Sequence, residues 1–160
     1  MSRRIGVEPL TVEAFAPFGE VIAVGGEPDR WINEGLCGRW HDVARLDFGE
    51  GRAGISLFRS EARSLPHEVR LMERHPEGSQ AFLPMSPAPF LVVVAPDEGG
   101  RPGRPVAFRT APGEGVNYRR GTWHGVLTPL SEGQIFAVVD RIGAGTNLEE
   151  WRFEEPWVVG

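Results

Sequence analysis

Lysine is missing from this chain: all 17 basic residues are arginine. Schiff-base chemistry through a lysine amine is therefore excluded. Arginine stays charged and forks onto carboxylates, so it can grip an anionic substrate but not attack it. Cysteine is nearly missing as well. Cys37 stands alone, which rules out an internal disulfide and points to a reducing compartment. It lies among polar residues and glycines with no matched base nearby, so a catalytic thiol is not expected. No apolar run approaches the roughly 18–20 residues that a membrane helix needs. The opening Met1-Ser-Arg-Arg-Ile-Gly-Val-Glu-Pro9 lacks the apolar core of a signal peptide. A cytoplasmic protein with no membrane association is the expectation. The formal charge of -5 argues against nucleic acid as a partner, because such binding leans on many cationic phosphate contacts.

What is present is ordinary for a globular chain. Of 160 residues, 41% are apolar and 24% charged, enough for one domain spanning residues 1–160 with a real core. The 21 glycines and 14 prolines are spread throughout and cut the chain into short pieces. Those pieces are rich in β-branched and aromatic residues: 54–58, 80–83, 90–95, 106–109, 135–140 and 151–153. Each has strand length and is bounded by turn residues, which predicts an all-β sandwich or barrel. Phe90-Leu-Val-Val-Val-Ala95 is apolar on both faces, as a central strand covered on both sides would be. Asp97-Glu-Gly-Gly100 reads as a hairpin turn. Helical signal is confined to Thr11–Gly19, with Thr11 as cap and Pro17 and Gly19 as the stop.

Two segments carry nearly all the polar chemistry, Leu71–Phe82 and Gly113–His124. Glu73 and His75 are two apart and face the same side of a strand. Pro76–Ser79 reads as a turn, after which an antiparallel return strand would bring Gln80 beside them. Glu73, His75, Gln80 and His124 are the kinds of side chain that hold a divalent metal or grip a small polar substrate. Imidazole and carboxylate suit nickel, manganese, iron or zinc, while glutamine is a weak ligand. A metal-free site that reads its substrate through hydrogen bonds stays open. His41 and His67 read as packed or surface histidines, and Trp31, Trp40, Trp151 and Trp157 as core or interface aromatics. The C-terminal 151–159 is a candidate contact with a second copy or with its own barrel. Asp140-Arg141 reads as an ion pair near a cavity mouth.

The spacing Glu73-x-His75, four residues, Gln80, and the spacing Gly113, five residues, Arg119-x-Gly121-x-x-His124 resemble the two motifs of the cupin family. The letters differ: Glu stands for the first His, Gln80 for Glu, Pro87 for a glycine, Arg119 for a proline and Thr128 for an asparagine. A longer resemblance covers nearly the whole chain. Pro66–Pro84, Gly115–His124, Arg39–Ala44, Asp140-Arg141 and Leu10–Gly19 are similar to the ureidoglycolate lyase family. That resemblance implies a cupin-type double-stranded β-helix, or jelly-roll barrel, preceded by a short helix. It also implies a homodimeric enzyme of allantoin breakdown that splits ureidoglycolate, a small anionic substrate, into glyoxylate and urea. The implied cofactor is a divalent metal, nickel before manganese or zinc, held by Glu73, His75, Gln80 and His124. On that reading Glu73, His75, Tyr118 and His124 take part in catalysis. Arg119, Arg120, Arg141 and Gln80 bind the substrate, and Trp123 is a wall of the pocket. The family commonly reads Trp-His-His-Pro where this chain has Trp123-His-Gly-Val126, so position 125 lacks an imidazole. Two other readings of the same residues are a non-catalytic cupin that binds glyoxylate or a related oxoacid, and a cupin enzyme for another small hydroxy- or oxo-acid.

Overall fold

The computed structural model describes residues 3–160. In chain order its elements are β1 (Arg4–Ile5), β2 (Val7–Pro9), α1 (Val12–Phe15), β3 (Gly19–Ile22), β4 (Arg30–Ile32), β5 (Cys37–Arg39), β6 (Arg52–Arg59) and β7 (His67–Arg74). Then follow β8 (Gln80–Pro84), β9 (Phe90–Ala95), β10 (Val106–Arg109), β11 (Gly115–Tyr118), β12 (Trp123–Gly125), β13 (Thr128–Pro129), β14 (Ile135–Ile142) and β15 (Glu149–Val159). Helix α1 falls within the short helix expected over Thr11–Gly19, but is a single turn. The Thr11 hydroxyl caps it by accepting from the Ala14 amide at 3.1 Å, and the chain leaves it before Pro17.

Two sheets face each other. An eight-stranded sheet runs β1-β15-β7-β12-β9-β10-β2, with β13 added alongside β9; a five-stranded sheet runs β3-β11-β8-β14-β6. A separate ribbon pairs β4 with β5. The result is a cupin-type β-barrel. Strand β9 shows why the layers form. Its six residues are all buried, with Phe90, Val92 and Val94 inside the barrel among Phe15, Phe82, Phe108, Val116, Phe136 and Val138. Leu91, Val93 and Ala95 point the other way, into a second cluster with Val69, Met72, Ala107 and Trp123. Phe90 meets Phe136 edge-on across the sheets, centroids 4.9 Å apart. Each such buried ring contributes about 2–3 kcal/mol through removal from water.

The turn after β9 is the one read from sequence. The Glu98 amide donates to the Arg101 carbonyl at 2.7 Å, and Gly99 and Gly100 take left-handed φ values of 65° and 85°, which glycine adopts without penalty. The C-terminal strand packs on its own barrel: β15 pairs with β7 and β1, and Trp151, Phe153 and Trp157 rest on the second cluster.

The segment 76–79 does not make the expected hairpin. Strand β7 pairs with β12 and β15 in the large sheet, whereas β8 pairs with β11 and β14 in the small one. The four residues cross between sheets, pinned by the Ser79 amide on the Asp47 carbonyl and the Asp47 amide on the Ser79 hydroxyl, 2.8 and 2.7 Å. Glu73 and Gln80 thus stand on facing sheets of the barrel.

Candidate active site

Strands β7 and β12 run side by side with Glu73 directly opposite His124. His75 extends the same edge just past the end of β7. The Gly121 amide donates to the His75 carbonyl at 2.9 Å, which ties the β11–β12 turn to that edge. One ligand atom from each of Glu73, His75 and His124 lies within 4.8 Å of the others.

The histidine tautomers follow from their acceptors. His75 Nδ1 lies 2.8 Å from the Asn147 carbonyl oxygen, and His124 Nδ1 lies 2.9 Å from the Gly125 carbonyl oxygen. A carbonyl only accepts, so each Nδ1 carries the hydrogen. In a neutral ring each Nε2 then presents a lone pair, and both Nε2 atoms are buried with no hydrogen-bond partner among the described residues. Two orphaned imidazole nitrogens and a carboxylate in one place form a donor set that fits a divalent transition metal. Burial, with His75 adding to it, pushes the His124 imidazole down to about 3, so His124 is in the neutral form that ligates. Burial also raises the Glu73 carboxyl above its ordinary range; nearby Glu150 adds to this and His75 opposes it.

Tyr118 closes one side. Its ring lies parallel on His124, centroids 4.2 Å apart with 3° between planes. Burial, and secondarily the Glu73 charge, raise its phenol far above the usual tyrosine value, so the hydroxyl stays protonated. Gln80 lies in register with Tyr118 on one side and Asp140 on the other. Its amide nitrogen donates to Asp140 Oδ2 at 3.1 Å, and its Oε1 is buried without a partner.

Several sequence expectations change here. Trp123 does not share a face with His124. Its side chain sits in the second cluster outside the barrel, donating from Nε1 to Asp97 at 2.9 Å, because neighbours along a strand point to opposite sides. The three arginines are not brought together. Arg119 donates to the Ala16 carbonyl at 3.3 Å and borders a groove of about 450 Å³ beside α1. Arg120 pairs with Asp47 at 2.9 Å, and Arg141 with Glu77 at 3.2 Å. Asp140 and Arg141 do not pair with each other, again because adjacent strand residues diverge. Asp140 was missing from the expected site. It shares a strand face with the buried Phe136 and Val138, and that two-residue period was the available signal.

Position 125 faces outward. A Cβ on Gly125 would meet Val93 Cβ at 3.4 Å, an ordinary contact on the outer side of the sheet. An imidazole there would extend away from His124.

The whole chain has close relatives. The sequence profile of the family described as Ureidoglycolate lyase matches residues 2–160. A Ureidoglycolate lyase of Rhodobacter capsulatus is 62% identical over 157 residues, covering 98% of both chains. One from a Chelativorans species is 52% identical, over 98% of this chain and 96% of its own. Ureidoglycolate lyase 2 of Rhizobium meliloti is 50% identical, over 96% and 95%. The barrel, its paired histidines and this full-length likeness agree: the chain belongs to the ureidoglycolate lyase family.

Proposed function

We propose that this protein is a ureidoglycolate lyase that releases urea and glyoxylate, acting as one cupin domain over residues 1–160. The observation that carries the reading is the pair of buried, unpartnered Nε2 atoms on His75 and His124 beside Glu73, in a chain matched along its length by proteins of that name.

His75, His124 and Glu73 would hold a divalent metal, with nickel the choice that the family likeness favours and manganese or zinc also suited to the donors. When bound, such a metal would supply Lewis-acid positive charge that favours ionisation of a substrate hydroxyl. Proton movement is assigned to Glu73, the carboxylate beside the two imidazoles, through the one of its two oxygens that does not engage the metal. Glu73 takes the hydroxyl proton as that carbon becomes the aldehyde of glyoxylate. The C–N electron pair leaves with the urea nitrogen, and the same carboxyl returns the proton there. Tyr118, held protonated and stacked on His124, would offer a hydrogen-bond donor to the substrate. Gln80 and Asp140 continue the same polar row beside Tyr118 on the small sheet, with the Gln80 Oε1 offered to a substrate N–H. The arginines at 119, 120 and 141 are already engaged with carbonyls and carboxylates, which leaves them less suited to the substrate than the sequence suggested.

A homodimer belongs to the same reading. Among the described residues, strand β6 is an edge of eight residues paired on one side only, and its Ile55 and Leu57 are 75% and 67% exposed. Such an edge is commonly covered by a second copy. A cytoplasmic location fits the lone free Cys37. The test supplies ureidoglycolate and each candidate metal to the purified protein. Urea and glyoxylate formed in equal amounts above the uncatalysed rate support the reading. Tight glyoxylate binding with no urea would overturn it.

A further inference from the structure

The segment 143–148, which joins β14 to β15, touches the candidate site without supplying a ligand to it. Its contacts are few and specific. The Asn147 carbonyl accepts from His75 Nδ1 at 2.8 Å. The Asn147 side-chain Oδ1 accepts from the Glu77 amide at 2.8 Å. Glu77 in turn meets Arg141 Nη1 at 3.2 Å, and Arg141 Nη2 donates to the Ala144 carbonyl at 3.1 Å. The strand end, the crossing segment and the loop thus form one closed ring of bonds around His75.

Arg141 is built into this ring, not merely laid across it. Only 8% of its side chain is exposed. A Cβ on Gly51 would approach Arg141 Cγ to 2.6 Å, and one on Gly143 would approach its Cζ and Nη2 to 2.7 Å. Glycine at these places leaves the volume that the guanidinium fills. Buried, with its fork divided between Glu77 and a loop carbonyl, Arg141 has the contacts of a latch.

We propose that Asn147, latched in place by Arg141 and Glu77, is a positioning residue that sets the tautomer and aim of His75. The inference deepens the metal-site reading and rests on it for its consequence, but not for its geometry. Neutral imidazole has two tautomers, and only the form with hydrogen on Nδ1 points a lone pair from Nε2 toward Glu73 and His124. The Asn147 carbonyl selects that form. The side-chain bond to Glu77 holds the carbonyl where it can do so. Partners of this kind behind a metal ligand change affinity by about 10–100-fold when removed. His124 is independent of the ring, because its Nδ1 is held by the carbonyl of its own neighbour Gly125.

The test uses the full chain with Asn147→Ala and Asn147→Asp. Ring 15N spectra of the metal-free proteins report tautomers, and equilibrium dialysis against nickel and zinc reports affinity. The inference expects His75 in the Nδ1–H form in the native protein and in Asn147→Asp, which keeps an oxygen for the Glu77 amide. Asn147→Ala should show mixed His75 tautomers and an affinity lower by about 10–100-fold. His124 signals and the thermal midpoint should hardly move. Unchanged His75 signals in Asn147→Ala would overturn the inference, as would signals of His75 and His124 that shift together. If the native protein binds neither metal while the His75 tautomer still responds to Asn147→Ala, the positioning role stands and the metal reading fails.

Discussion

The ring of Tyr118 lies flat against His124, centroids 4.2 Å apart and planes within 3°. The two residues come from facing sheets, and their strands β11 and β12 are joined by a four-residue turn. The stack fixes the imidazole plane, and the phenol hydroxyl supplies a donor that stays protonated. Those two roles separate by substitution. Tyr118→Phe keeps the stack and removes the hydroxyl. It should lower kcat by about 10–100-fold, the value of a hydrogen bond to a charged group, with metal affinity within about twofold. Tyr118→Ala should destabilise the fold by about 3–5 kcal/mol through the cavity it leaves. Steady-state kinetics beside urea denaturation checks both. A Tyr118→Phe variant with native kcat removes the hydroxyl from the mechanism.

Gly125 is where the chain departs from the wording its family resemblance led one to expect, and a Cβ there would point to the outer face, toward Val93. Gly125→Ala should keep kcat/KM within about twofold and unfolding free energy within about 0.5 kcal/mol, as surface-type changes do. A tenfold fall in kcat/KM would show that position 125 reaches the site.

Gly19 tests the pairing of β3 with β11. A Cβ at this position would collide with the backbone carbonyl of Asn117 on the neighbouring strand β11, and a backbone group cannot rotate away. Gly19→Ala should lose more than about 3 kcal/mol, the range of overpacked cores. Native-like unfolding of that variant would contradict the β3–β11 register.

Asp97 gives a pH signature. Its carboxyl is held below the ordinary value of 3.8, first by the Trp123 Nε1–H, then by the Gly100 amide, with Arg74 also contributing. The unfolded chain therefore binds this proton more readily than the folded one. The contribution is present above the ordinary carboxylate value and fades as pH falls through the lower folded value. Asp97→Asn should lower the urea midpoint at pH 7, and the gap from the native protein should shrink below about pH 3.8. A gap that stays constant with pH would show that the charge of Asp97 is irrelevant to stability.

The readable parts of the fold were those dictated by side-chain period. Residues 90–95 had no polar face and became the strand buried on both sides. Glu73 and His75 were two apart and do share an edge. Thr11 had a free amide three residues on to cap. The unreadable parts depended on which sheet a strand joins. Pro76-Glu-Gly-Ser79 has the composition of a tight turn, and a crossing between sheets uses the same residues. Only the pairing of β8 with β11 and β14 separates the two, and that pairing is set by residues distant in sequence. The same ambiguity misplaced the arginines. Arg141 meets Glu77 only because the crossing carries Glu77 past the end of β14. Trp123 was misread for a simpler reason: adjacency to His124 in a strand means opposite faces.

The central claim is that Glu73, between His75 and His124, carries the proton in a lyase reaction. The most direct measurement is urea release from ureidoglycolate by the native protein and by Glu73→Gln, each shown to be folded and to hold the supplied metal. Removing a proton carrier costs about 10²–10⁴-fold, so the account predicts native turnover and a fall of that size in Glu73→Gln. Urea release at the native rate by Glu73→Gln would contradict it.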